Sequence, residues 1–162
     1  MKRIGLVTVV LVVVATAPLP GSAHAGSTTT ATASFTFHVV VPANFIDAPP
    51  REGMHAPPRI GDQFAFTSDV RSRAGGHAGR LQMTCTVAEG GVGASGPCYG
   101  NYLLAGGAIA VITVFRLGTD APTHLAIVGG TGVYDGATGS VLSVPRSGSV
   151  STSDDTLRLL LP

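Results

Sequence analysis

The side chains of this chain with the widest chemistry are two cysteines, Cys85 and Cys98, five histidines and a few carboxylates. Their spacing excludes several reactions. The histidines stand at 24, 38, 55, 77 and 124, and no pair has the H-x-x-x-H interval that brings two imidazoles to one metal. Two cysteines cannot complete a zinc site alone, so neither a metal nor a cofactor is expected. The only lysine is Lys2, in a segment read below as removed, which excludes lysine Schiff-base chemistry. A serine-hydrolase G-x-S-x-G is absent; Gly93-Ala94-Ser95-Gly96 comes close but precedes Pro97-Cys98 and reads as a flexible loop. The adjacent carboxylates Asp154-Asp155 read as a solvated turn ahead of the last strand. His124, Arg80 and Arg116 read as rim or surface residues of strands, and so, at first sight, does His38. The stretch Gly129-Gly130-Thr131-Gly132 invites comparison with a phosphate cradle. It lacks both the G-x-G-x-x-G interval and a P-loop lysine, and a tight glycine connection between strands suits it better.

The compartment decides what the cysteines do. Residues 1–25 have the build of a signal peptide: Lys2-Arg3, an apolar or small run over 4–17, a break at Pro18 and Pro20, then Ala23-His24-Ala25. As a membrane anchor the run is short, since a spanning helix needs roughly 20 apolar residues. No cysteine follows it to carry a lipid. Export places Cys85 and Cys98 in an oxidising compartment, where a disulfide between them is the default. Closing that loop of about 14 residues is worth about 3 kcal/mol by chain entropy. The expected location is therefore secreted and extracellular. A formal net charge of +1 with 12% charged residues leaves no electrostatic footprint for nucleic acid, and no polybasic patch for a membrane once the signal is cleaved.

These residues need a scaffold, and the pattern for it is all-β. After a Ser/Thr/Ala leader at 26–34, one domain is expected over 35–162. Strand candidates fall at 35–41, 63–68, 80–87, 99–104, 108–116, 124–128, 139–144 and 156–161, separated by glycine turns. No long segment outside the signal has a 3.6-residue apolar period. Eight antiparallel strands can close on themselves and leave no edge, with room inside for side chains or one small ligand. Residues 42–59 hold five prolines and can be neither helix nor central strand; a lid over a cavity mouth and a plain surface excursion both remain open readings. Alternation puts Leu81, Met83, Cys85 and Val87 on one face of their strand and Arg80, Gln82, Thr84 and Thr86 on the other. Residues 108–115 are apolar on both faces, which predicts subunit packing and a homo-oligomer.

Two stretches resemble a known family. Ile127-Val128-Gly129-Gly130-Thr131-Gly132-Val133-Tyr134, followed by a small residue and Gly139, is similar to the hallmark of allene oxide cyclases and dirigent proteins. Gly61-Asp62-Gln63-Phe64-Ala65-Phe66-Thr67-Ser68 resembles the Gly-Asp…Phe-Thr segment that opens the second strand of allene oxide cyclases. The resemblance extends over about 61–141 and implies an eight-stranded antiparallel barrel with an apolar lumen. It implies that Met83, Cys85, Phe115, Ser68 and His38 are the residues to watch for ligand contact, with the face of Cys85 turned inward. The sequence departs from the family's catalytic positions. Its first strand offers only Thr36 and His38 as polar residues, Ser68 stands for the family's Asn, and Phe115 stands for its lumen Tyr. The function implied is a secreted barrel that binds a small hydrophobic molecule and guides its cyclisation or isomerisation. The alternative is a non-catalytic carrier or structural barrel.

Overall fold

The computed structural model describes residues 31–40, 45–48, 56–146 and 152–162. The signal segment and most of the proline-rich stretch lie outside the described residues. The strands are β1 (Ala31–Val40), β2 (Phe45–Ala48), β3 (Gln63–Ser72), β4 (His77–Thr86), β5 (Ser95–Leu104), β6 (Gly107–Arg116), β7 (Thr123–Gly130), β8 (Thr138–Pro145) and β9 (Thr152–Leu161). A single 3-10 turn, Gly132–Tyr134, separates β7 from β8.

Every neighbouring pair is antiparallel, in the order β1-β9-β8-β7-β6-β5-β4-β3-β2. A further pairing of Phe37–Val40 with Asp69–Ser72 joins β1 to β3 and closes eight strands into a barrel. Closure leaves no unpaired edge in the ring, the hazard that open sheets must otherwise cover. The short β2 lies outside the ring, beside the first half of β3. A four-residue strand at an edge is what proline on either side permits.

Several strands are longer than expected, β3 running on to Ser72 and β4 starting at His77, and three starts change a reading. β1 starts at Ala31, so residues 31–34 are strand and not leader; their small side chains leave room for the leucines opposite, Ala31 against Leu161 and Ala33 against Leu159. β5 starts at Ser95, so Ser95 and Gly96 are strand and not loop. Gly96 is needed there, because a Cβ would strike the Thr86 carbonyl. β9 starts at Thr152, which turns Asp154-Asp155 from a solvated turn into paired strand.

Alternation then assigns the faces. Leu81, Met83, Cys85 and Val87 are buried, as are Cys98 and Tyr102 on β5, Ile109 and Val111 on β6, and Leu157 and Leu159 on β9. The opposite residues of β6, Ile112 and Val114, are 47% and 63% exposed, so the second apolar face of this strand does point outward. One end of the barrel carries the short connections β3–β4, β5–β6 and β7–β8. At this turn end Gly132 (φ +63) lies against the Gly106 carbonyl, a place and a conformation that exclude other residues. The loop end carries residues 56–62, 87–94 and 117–122.

Candidate functional site

The strand period decides which side chains reach the lumen. On β3 the inward series from the loop end is Phe64, Phe66, Ser68 and Val70. The first two are half-buried and the last two are closed off. On β6 the same gradient runs from half-buried Phe115 and Thr113 to buried Val111 and Ile109. The interior is thus shut at the turn end and lined by partly exposed aromatic rings at the loop end. Phe64 and Phe115 meet there edge to face, with centroids 4.9 Å apart at 81°. This is the geometry that aromatic quadrupoles prefer.

Four of the five residues expected at a ligand share the lumen face. Met83, Cys85, Phe115 and Ser68 all belong to the inward face. Cys85 and Cys98 stand directly opposite each other on β4 and β5 and form a disulfide, so the thiol is consumed. Met83 lies over Gly100, where any Cβ would collide with its sulfur. His38 lies between Phe37 and Val39 on β1, paired with Asp154 and Arg71; its side chain lies outside the described residues. The two glycine motifs are architectural. Gly61 and Asp62 lace residues 56–62 to the end of β4 through the Val87 backbone, and the Asp62 carboxylate accepts the Arg59 N–H at 2.8 Å. Gly129, Gly130, Thr131, Gly132 and Tyr134 form the β7–β8 connection at the other end. There the Thr131 hydroxyl accepts the Ala108 N–H, and Gly139 opens β8 at φ +136.

The strongest polar feature of the lumen was not expected. Tyr102 Oη donates to Asp155 Oδ2 at 2.6 Å, and Ser153 Oγ donates to Asp155 Oδ1 at 2.8 Å. Asp155 is only 2% exposed and Tyr102 is fully buried. β5 and β9 are four strands apart in either direction round the ring, so the Tyr102–Asp155 hydrogen bond crosses the barrel along its diameter. Burial pushes the Tyr102 phenol well above its ordinary value near 10, and the charge of Asp155 and the hydrogen bond to it push the same way. The phenol is therefore held as a neutral donor. With β9 starting at Thr152, alternation from Leu161, Leu159 and Leu157 carries the inward series back to Asp155 and Ser153, a continuation that the polar residues 152–155 mask in the sequence.

Ser68 adds a second polar point. Its hydroxyl is buried on the inward face and makes no hydrogen bond. It shares one cross-strand row with Leu81 and Tyr102. The Tyr102–Asp155 pair and Ser68 thus stand in an apolar interior just beneath the half-exposed aromatic rings. A buried hydroxyl without a partner is uncommon and asks for an explanation. Among the described residues no cluster of three or more His, Cys, Asp or Glu side chains could hold a metal ion.

No family model matches the chain, and no curated protein matches it. Solved structures do share its fold. A pyocyanin demethylase superposes with a TM-score of 0.62 at 21% identity, covering 78% of this chain and 98% of that one. A pterocarpan synthase dirigent protein superposes at 0.60 and 15% identity, covering 82% and 88%. An exo-specific intermolecular Diels–Alderase superposes at 0.61 and 9% identity, covering 81% and 98%. At these identities the likeness establishes the barrel shared with dirigent proteins and Diels–Alderases.

Proposed function

We propose that this chain is an exported barrel of the allene oxide cyclase and dirigent type that holds a small, largely apolar molecule in its lumen and guides its cyclisation or isomerisation. The observation that carries this reading is the polar floor set in an apolar interior: the Tyr102–Asp155 strut with the unpartnered Ser68 hydroxyl above it. An apolar wall selects for shape, and one or two fixed hydrogen-bonding groups set orientation. The ligand enters at the loop end past Phe64 and Phe115. It presents an oxygen to the Ser68 hydroxyl, whose proton has no other partner and would stabilise negative charge developing on that atom. Ring closure and isomerisation conserve atoms and electrons, so confinement in a productive conformer supplies most of the selectivity.

The carrier or structural reading has one observation in its favour. Tyr102, Ile109, Leu157 and Leu159 fill the turn-end half of the lumen completely, and the strut ties opposite walls together. A thermal-shift screen of hydrophobic small molecules, followed by product analysis on those that bind, separates the readings. A guiding barrel is stabilised by its ligand, changes it, and loses affinity in Ser68→Ala. A carrier binds and returns the ligand unchanged, and a structural barrel responds to none.

A further inference from the structure

A second candidate site lies on the outer wall and owes nothing to the lumen. The outward faces of β3, β4 and β5 form a groove of about 510 Å³, whose side chains are Ala65, Thr67, Gln82, Thr84, Tyr99 and Asn101. Its size falls within the range of about 300–1,000 Å³ common to small-molecule sites. The register sets these side chains in two cross-strand rows, Ala65–Thr84–Tyr99 and Thr67–Gln82–Asn101. Cross-strand neighbours have Cβ atoms about 5 Å apart, so the rows form one continuous surface. Ala65 keeps the β3 side low, and the Tyr99 ring, 61% exposed, forms the opposite wall.

Two features narrow the occupant. Among the described residues no charged side chain lines the groove; Asp69 and Arg80 stand one row beyond it. Among the described residues the four polar side chains Thr67, Gln82, Thr84 and Asn101 have no hydrogen-bond partner and Tyr99 meets no other ring. Amides and hydroxyls both donate and accept, which matches groups that themselves do both. An exposed Tyr offers an apolar face with a polar tip. A charged ligand would lose hydration here without gaining a counter-charge. We propose that this groove binds a neutral carbohydrate, one sugar ring lying on Tyr99 while Gln82 and Asn101 hydrogen-bond its hydroxyls.

Isothermal titration calorimetry of the purified chain with cellohexaose, chitohexaose and mannohexaose tests this, with hexagalacturonate as the charged control. At least one neutral hexamer binds. Its affinity falls about tenfold or more, the loss expected for one good contact, in Tyr99→Ala and in the Gln82→Ala/Asn101→Ala double variant. Ser68→Ala, inside the barrel, binds it as the unaltered chain does. The site is exposed, so circular dichroism should show all variants folded. Four results overturn the proposal: no heat from any neutral hexamer, unchanged binding in both groove variants, tighter binding of hexagalacturonate, or an oligomer that Tyr99→Arg splits, which would make this face a contact between copies of the chain.

Discussion

At the scale of the residue, two polar groups in the lumen behave oppositely, and the difference can be measured. Tyr102 satisfies Asp155, so Tyr102→Phe leaves a buried carboxylate held by Ser153 alone. A hydrogen bond to a charged group is worth about 1.5–3 kcal/mol, and urea unfolding at neutral pH should show a loss of that order. Ser68 has no partner, so Ser68→Ala removes a group buried at a cost; the ligand-free protein should gain about 1 kcal/mol. A loss of stability in Ser68→Ala would mean that its hydroxyl is satisfied after all. The raised phenol also sets an alkaline limit. Below the ordinary tyrosine value near 10, folded and unfolded chains both hold the Tyr102 proton and its contribution is fully present. Above it, the unfolded chain releases the proton while the folded chain keeps it, so stability falls by up to about 1.4 kcal/mol per pH unit until the raised folded value is passed. Unfolding measured between pH 9 and 11 should show this decline, and Tyr102→Phe should lack that part of it.

At the scale of the element, the β4–β5 pair is the best secured part of the ring. Cys85 and Cys98 are direct cross-strand partners separated by 13 positions, and the bond closes the 87–94 loop. Reduction, or the Cys85→Ala/Cys98→Ala variant, should lower stability by about 3 kcal/mol in urea unfolding, mainly by freeing the unfolded chain. An unchanged midpoint would show that the ladder alone fixes this pair. The same elements show what could be read in advance. Glycine turns separate β-rich runs cleanly, so the eight strands of the ring and the two apolar faces of β6 were legible; alternation alone left the lumen face of β4 open, and only the family resemblance turned Met83 and Cys85 inward. β2 was not, because four residues beside prolines carry no periodic signal. Nor was the start of β9, because its first residues, Thr152, Ser153, Asp154 and Asp155, are all polar and imitate a turn. The strut was therefore missed: Asp155 becomes a lumen residue only once the barrel closes and Tyr102 faces it from the far wall.

At the scale of the whole molecule, barrel closure explains both the interior and the outer surface. Eight strands give an interior that side chains nearly fill, so any ligand space lies toward the loop end, above the strut. Outside, Ile112, Val114, Val128 and Leu142 make β6, β7 and β8 a largely apolar face, with His124 and Ser140 among them. We infer that a second copy covers this face. Sedimentation velocity should then give a species larger than a monomer, and Ile112→Glu with Val114→Glu should reduce it to one. A monomer at all concentrations would remove the inference and leave the lumen reading intact. The disulfide is compatible with an oxidising compartment, and no described helix is long and apolar enough to cross a membrane.

On the proposed function, the apolar interior admits a guest beside Ser68 and the Tyr102–Asp155 strut. Methyl NMR of the native protein, titrated with 1-naphthol and menthone, addresses it most directly. A guest in the lumen should shift the buried methyls of Val70, Leu81 and Met83 in a saturable way while the exposed methyls of Val92 and Val133 stay still, and Ser68→Ala should weaken the effect. Lumen methyls that stay fixed across the titration with both probes would contradict it and leave a solid barrel with no guest.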